Sequence, residues 1–362
     1  MKIHCVVGAR PNFMKIAPLM REMLRHPEMR PVLVHTGQHY DPEMSEVFFN
    51  DLEIPSPDLH LGVGSGSQAS QTGKVMVAFE AVLEQDPADL VLLVGDVNST
   101  LACSVVAAKA GVPVAHVEAG LRSWDRSMPE EINRIVTDAL STYHFTTSRD
   151  ADENLLREGA EPSRIFFVGN VMIDTLLRFQ GKVDRSPIRA QLRLPRDYAL
   201  LTLHRPSNVD DVAPLKRIFA ALEILSRRLP IVFPIHPRTR KMLEEFGVST
   251  QAAGIRTLDP IGYIDFIHLE KNARLVLTDS GGIQEETSVL GVPCLTLRDN
   301  TERPVTLREG TNVLVGNDTE RILAAAERAL DGERRATAVP ELWDGRASER
   351  IVAHLRRIGL PD

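Results

Sequence analysis

Cysteine is scarce: three occur in 362 residues, at positions 5, 103 and 294. Three thiols cannot pair completely, and no Cys-x-x-Cys or close Cys/His cluster points to a metal. Each lies in an apolar strand-like run or a small-residue helix, so buried free thiols in a reducing, cytoplasmic compartment are expected. A basic excess is also missing. Lys+Arg number 42 against 49 Asp+Glu, a net charge of −7, which argues against a nucleic-acid surface. Any phosphate must therefore be met by local cations and helix ends. No apolar run approaches the ~20 residues that a bilayer span needs, and residues 1–8 read as a strand, not a signal peptide. No membrane partner is expected. The dinucleotide fingerprint is absent from Gly8-Ala-Arg-Pro-Asn-Phe, which has one glycine. The Gly62-Val-Gly-Ser-Gly66 run is no Walker A motif, because Lys74 is wrongly spaced and Val75 stands where Ser or Thr is required. It reads as a flexible loop that moves over a cleft.

What is present is ordinary in bulk, 43% hydrophobic and 25% charged, but regular in pattern. Strand-like and helix-like segments alternate from end to end, which marks parallel βαβ units. The length suggests two domains. A first Rossmann-like domain is expected over 1–180, followed by the polar stretch 181–195 with Pro187 and Pro195. A second is expected over 196–345, and an amphipathic tail over 346–362 that packs back on the first. Two doubly wound parallel α/β halves imply a cleft lined by the carboxyl ends of both sheets.

The densest motif is Leu277-Thr-Asp-Ser-Gly-Gly-Ile-Gln-Glu-Glu286, a strand feeding through Ser280, Gly281 and Gly282 into a helix start. Such a turn aims backbone N–H groups and the positive helix end at one point, which suits a phosphate. Glu285 and Glu286 stand one turn on, placed to accept from a ribose. The plain alternative is a capped turn with Ser280 as N-cap. Arg10 and Lys15 sit at the start of the first helix, where a cation does not serve the helix dipole; an anionic ligand or simple solvation explains them. Asp96 and Glu118 each end an apolar strand, and Glu131 lies three residues before Arg134 on a helix opened by Pro129. Singly, these are a turn Asp and a surface ion pair. Together, three carboxylates at one sheet edge look like general acid/base chemistry. His204 and His236 end strands of the second half, in Leu-His-Arg-Pro and Ile-His-Pro-Arg. They suit phosphate contact or proton transfer. The loop Leu297-Arg-Asp-Asn-Thr-Glu-Arg-Pro304, with Arg303, supplies donors for a phosphate or sugar, or is merely exposed.

In order along the chain these motifs are Gly8-x-Arg10-Pro with Lys15, Thr36-Gly-Gln-His39, Gly95-Asp96, His116-Val-Glu-Ala-Gly-Leu-Arg-Ser123 and Pro129-Glu-Glu-x-Asn-Arg134. The series continues with His204-Arg, Pro234-x-His236, Thr278 to Glu286 and Leu297 to Pro304. The set resembles the non-hydrolysing UDP-N-acetylglucosamine 2-epimerases, over about residues 3–316. The resemblance implies a GT-B fold, no cofactor, a homodimer and reversible interconversion of UDP-GlcNAc and UDP-ManNAc through a 2-acetamidoglucal. It implies Asp96, Glu118 and Glu131 as acid/base groups, with His204 assisting the departing UDP. Arg10, Ser280, Gly281 and Gly282 resemble diphosphate contacts, Glu286 the ribose contact and Phe266 a uracil-side contact. Lys15, Gln38, His39 and His236 match positions that line a regulatory UDP-GlcNAc site in some members.

Three departures bear on the sugar and on control. The chain has His204-Arg-Pro-Ser-Asn208 where many members have His-Arg-Glu-Asn, and Gly95-Asp-Val-Asn-Ser-Thr100 where many have Gly-Asp-Thr-x-Thr-Thr. His236 is followed by Pro-Arg-Thr. The alternatives are therefore a UDP-2,3-diacetamido-uronic acid as substrate, a hydrolysing variant, a GT-B glycosyltransferase, or a silent nucleotide-sugar sensor.

Overall fold

The computed structural model describes residues 1–38, 51–250, 254–332 and 338–359. The chain forms two compact units, Met1–Arg178 with Glu341–Asp362, and Phe179–Pro340.

The first unit is a seven-stranded sheet of β1 (Lys2–Val7), β2 (Arg30–His35), β3 (Leu59–His60), β4 (Leu90–Val94), β5 (Val114–Ala119), β6 (Tyr143–Thr146) and β7 (Ile165–Phe167). Every pairing is parallel, in the order β3-β2-β1-β4-β5-β6-β7. Strands such as Leu-Val-Leu-Leu-Val of β4 are buried along their whole length, which demands cover on both faces and selects the parallel arrangement. Helices α1 (Arg10–Met23), α2 (Gln68–Gln85), α3 (Asn98–Lys109), α4 (Pro129–Leu140), α5 (Arg149–Arg157) and α6 (Val171–Val183) belong to this run of the chain. Pro129 occupies the first helical position of α4, where its missing N–H costs nothing. The strand order reverses between β1 and β4, the place where such sheets bind ligands.

Asn98 or Ser99 is the expected cap of α3, but the structure puts Val97 there with no side-chain cap bond. The cap comes from afar: Gln38 Oε1 accepts from Ser99 N at 3.0 Å and from its hydroxyl at 2.7 Å. The glycine-rich stretch is also tied down. Val63 N and Gly64 N donate to the carbonyls of Thr36 and Gly37, both at 3.0 Å.

The second unit pairs β8 (Ala199–Leu201), β9 (Ile231–Pro234), β10 (Ile255–Leu258), β11 (Leu275–Thr278), β12 (Cys294–Thr296) and β13 (Asn312–Leu314). All are parallel, in the order β10-β9-β8-β11-β12-β13, and the order again reverses at its first strand. Its helices are α7 (Ile188–Gln191), α8 (Pro206–Val209), α9 (Val212–Ser226), α10 (Pro237–Glu245), α11 (Tyr263–Lys271), α12 (Gly281–Leu290), α13 (Val305–Arg308) and α14 (Thr319–Leu330). The polar stretch after α6 is not a bare linker. Ile188 is buried with Tyr198, Leu200 and Val276, and Leu192 and Leu194 pack on the same cluster.

The tail helix Ala347–Gly359 belongs to the first unit. Its start is held by Asp174, which accepts from Ala347 N at 3.0 Å and from Ser348 N and Oγ at 2.7 and 2.6 Å. Buried Trp343 donates to Thr147 O at 2.9 Å. No helix among the described residues is long and apolar enough to cross a membrane.

Candidate active site

In the first unit Asp96 lies just after β4, Glu118 in β5 just before its end at Ala119, and Glu131 on α4. Gly95 makes the turn after β4 with φ +69°, a conformation that favours glycine, and Lys15 Nζ lies 2.7 Å from where a Cβ would stand. Asp96 follows. Its carboxylate pairs with Arg134 Nη1, and Arg134 also reaches Glu131 through Nη2 and, at 3.1 Å, Nε. Glu118 pairs with Lys15, both buried. The Glu118 backbone is unusual: φ is +74°, and the β5–β6 register shifts between Val117 and Ala119. Such a bulge re-aims a side chain, and strain of this kind collects at functional sites.

The three acids are unequal. Glu131 is fully enclosed and accepts from Ser123 N and Oγ, each at 2.9 Å, and from Trp124 N at 2.8 Å, besides Arg134. Burial would raise its carboxyl, but the Ser123 and Arg134 hydrogen bonds outweigh it and hold the group below its ordinary value. The Asp96 side chain is 23% exposed, against 3% for Glu118. Asp96 is thus the carboxylate most open to a substrate.

Behind these turns lies a buried pair absent from the predicted site residues. His116 Nδ1 is 2.6 Å from Asp138 Oδ1, and its Nε2 is 2.8 Å from Gly95 O. Asp138 also receives Gly120 N at 3.0 Å and Arg122 Nη1 at 2.7 Å. Burial would raise Asp138, but His116 and Arg122 bring it down to about 2.

In the second unit, α12 begins after Ser280, yet the Ser280 side chain makes no cap bond. The turn is not the side-chain-capped one of the plain reading; the first N–H groups of α12 are left to other partners. A Cβ on Gly281 would lie 2.3 Å from Arg303 Nη1, so the guanidinium packs directly on this helix start. Arg303 pairs with Glu285 at 2.7 Å and with Glu302, and Glu302 also takes Arg298 at 2.7 Å. A helix start without a side-chain cap, beside buried guanidiniums, has the donors that an anion takes. At the strand-order reversal His204 Nδ1 sits 2.9 Å from Asp279 Oδ1, with the ring 42% exposed. With Nδ1 occupied, any proton His204 transfers must pass through Nε2. Burial would raise Asp279, but the His204 ring and the N–H groups of His204 and Arg205 keep it below its ordinary value. Asp279 lies inside the motif read from sequence but carries no predicted role; only its place at a strand end could have marked it.

The remaining predicted residues are placed as follows. Arg10 opens α1. Gln38 caps α3, as described, and its carbonyl accepts from Gln71 Nε2 at 3.0 Å. His39 lies outside the described residues. His236 caps α10, accepting from Arg238 N at 3.2 Å, and its ring centroid is 6.4 Å from that of His204. Phe266 is partly buried against the cluster of Ile188 and Tyr198. Gly282 is the second residue of α12. Glu286 is buried, accepts from Tyr263 Oη at 3.2 Å, and is pushed up to about 8, first by burial.

Glu270, on α11, is fully buried, and neither carboxylate oxygen has a hydrogen-bond partner among the described residues. Burial, then the charge of Glu286, raises it well above the ordinary carboxyl value. The folded state therefore holds a proton that the unfolded chain releases, and stability is lost as pH rises past the unfolded value. Replacing Glu270 with Met should stabilise the protein by about 1–3 kcal/mol near neutral pH, and by less at pH 5. Denaturant melts at pH 5 and pH 8 check this; an equal or reversed gain contradicts it.

Two all-parallel Rossmann-like sheets, each carrying ligand-type chemistry at its carboxyl edge, place the chain in the GT-B class. The solved structure of the lipopolysaccharide outer core galactosyltransferase WaaB in its apo form shares the fold at 14% identity, TM-score 0.54, covering 99% of this chain and 100% of that one. The UDP-N-acetylglucosamine 2-epimerase family model matches residues 21–356, and the chain belongs to that family. The UDP-N-acetylglucosamine 2-epimerase of Methanocaldococcus jannaschii is 44% identical, over 97% of this chain and 98% of its own length. A crystal structure of the enzyme from that organism, in complex with UDP-GlcNAc and UDP, superposes with TM-score 0.93 at 43% identity, covering 99% and 100% of the two chains. The UDP-2,3-diacetamido-2,3-dideoxy-D-glucuronate 2-epimerase of Pseudomonas aeruginosa is 41% identical over 99% and 100%.

Proposed function

We propose that this chain interconverts UDP-GlcNAc and UDP-ManNAc. A carboxylate of the first unit takes the proton from carbon 2 of the sugar. The bond from carbon 1 to the diphosphate oxygen breaks, and its electron pair leaves with UDP, giving 2-acetamidoglucal. A second carboxylate protonates carbon 2 from the opposite face, and UDP adds back. The observation that carries this reading is the unequal carboxylate set of Asp96, Glu118 and Glu131, braced by Lys15 and Arg134. Asp96 and Glu118 are the proton-transfer pair, and Glu131 orients Arg134 and the Ser123 turn. Ser280, Gly281, Gly282, Arg303 and Arg10 hold the diphosphate, Glu286 the ribose and Phe266 the uracil side. His204, oriented by Asp279, assists UDP departure. A homodimeric, cytoplasmic enzyme supplying cell-envelope precursors completes the proposal, as does a regulatory role for Lys15, Gln38, His39 and His236.

Incubation with UDP-GlcNAc in D₂O should place deuterium at carbon 2 of both epimers. Epimerisation without exchange rules the mechanism out, and tight binding with neither would favour a sensor. The second reading keeps the chemistry and changes the sugar to a UDP-2,3-diacetamido-uronic acid. It is favoured by the full-length relative of that specificity, whose identity is within 3 points of the UDP-GlcNAc enzyme's (44 against 41%). Turnover on both substrates separates the two.

A further inference from the structure

We infer that the buried His116–Asp138 pair is a positioning device that holds the Asp96 and Glu118 turns in register, an inference that rests on the 2-epimerase reading. The regular ladder between β4 and β5 ends at Val94↔Val117, and the β5–β6 register breaks just after it. Both acids lie beyond that last pair, where one backbone bond, from Gly95 N to Val117 O at 3.1 Å, still links the two strands. The His116–Asp138 pair adds a side-chain link just past it. His116 grips the carbonyl of Gly95, the residue before Asp96, through Nε2 at 2.8 Å. Asp138 grips the N–H of Gly120, two residues after Glu118, at 3.0 Å. The two side chains join at 2.6 Å. One continuous chain of bonds therefore runs from one acid's turn to the other's, wholly inside the protein.

Asp138 and Arg134, which braces Asp96, both lie on α4. The helix thus ties the pair to the Asp96 side of the site. Each ring nitrogen of His116 faces an oxygen, the Asp138 carboxylate on one side and the Gly95 carbonyl on the other. Neither side chain is exposed to touch a substrate; both act through the backbone of their neighbours.

The test uses the full-length protein with His116→Gln, Asp138→Asn and the double variant. Displacing a reacting group by about 1 Å costs on the order of 10²-fold in rate. Each single variant should therefore lose about that in kcat, while the dissociation constant for UDP, whose proposed contacts His116 and Asp138 do not touch, stays within about twofold. Because the two residues act as one unit, the double variant should be no slower than the slower single one. Multiplying losses, unchanged kcat, or UDP affinity falling in step with kcat would each overturn the inference. Should a variant fail to fold, wild-type protein labelled with ¹⁵N-histidine still decides. Both His116 ring nitrogens must carry the signature of a hydrogen bond, and a ring nitrogen without one refutes the device. Wild-type protein that exchanges no deuterium at carbon 2 would instead refute the functional reading.

Discussion

Glu118→Gln should lower turnover by about 10²–10⁴-fold, the span that a positioned acid or base contributes, with UDP affinity retained. Glutamine fills the same space and can follow the same backbone, so the positive φ of residue 118 and the bulge in β5 can persist. What it cannot do is accept or return the proton of carbon 2. The substitution also strips Lys15 of its buried partner, and breaking such a pair by removing one charge costs about 3–5 kcal/mol. A fall in activity could then be mistaken for a fall in folded protein. Lys15→Met combined with Glu118→Gln removes the orphan ammonium and should recover much of the stability but none of the turnover. The comparison needs kcat, the UDP dissociation constant by calorimetry and a melting curve for each variant. Turnover of Glu118→Gln within tenfold of wild type would remove Glu118 from the proton-transfer pair.

The features legible in the sequence are those whose cause is local. The apolar run of β4 announces a strand buried on both faces, and Pro129 announces the first turn of α4. Ser280-Gly-Gly announces the start of α12. The edges of the second sheet were harder to read. Strand character extends over 198–203 in the sequence, but the ladder keeps only Ala199–Leu201, because the residues after it turn toward Asp279. The two-residue β3 and the three-residue β13 are too short to leave a periodic signal.

What could not be read is what long-range pairing decides. Gln38 capping α3 across 61 residues leaves no mark in the local pattern, so Asn98 and Ser99 look like the natural caps. His116 and Asp138 are 22 residues apart, on a strand and a helix, and neither residue alone differs from an ordinary core group. The left-handed backbone of Glu118 is invisible because glutamate rarely adopts it. Glu270 runs against sequence reasoning altogether, since a carboxylate on a helix is expected to face water.

Arg134→Met should destabilise the protein strongly. Arg134 is 1% exposed and joins Asp96 to Glu131, so its loss leaves two carboxylates without their shared cation. Asp96 is open enough to recover solvent. Glu131, wholly enclosed, is not, and about 3–5 kcal/mol should be lost. The loss should depend on pH in a definite direction. In the wild type the Glu131 carboxyl lies below its ordinary value, because the Ser123 and Arg134 bonds outweigh burial. That depression stabilises the fold above the unfolded carboxyl value and is lost as pH falls through the folded one. Without Arg134, burial is opposed by Ser123 and Trp124 alone, and the folded value rises. Between the two folded values the variant holds a proton that the wild type has released, so the gap in stability between them widens with increasing pH. Adding Glu131→Gln to Arg134→Met removes the buried charge and should flatten that dependence while restoring part of the stability. Denaturant melts of the three proteins from pH 4 to pH 8 measure both effects. A gap that stays constant with pH would mean that Arg134 braces the helix by packing alone, and that Glu131 is held ionised by the Ser123 turn without it.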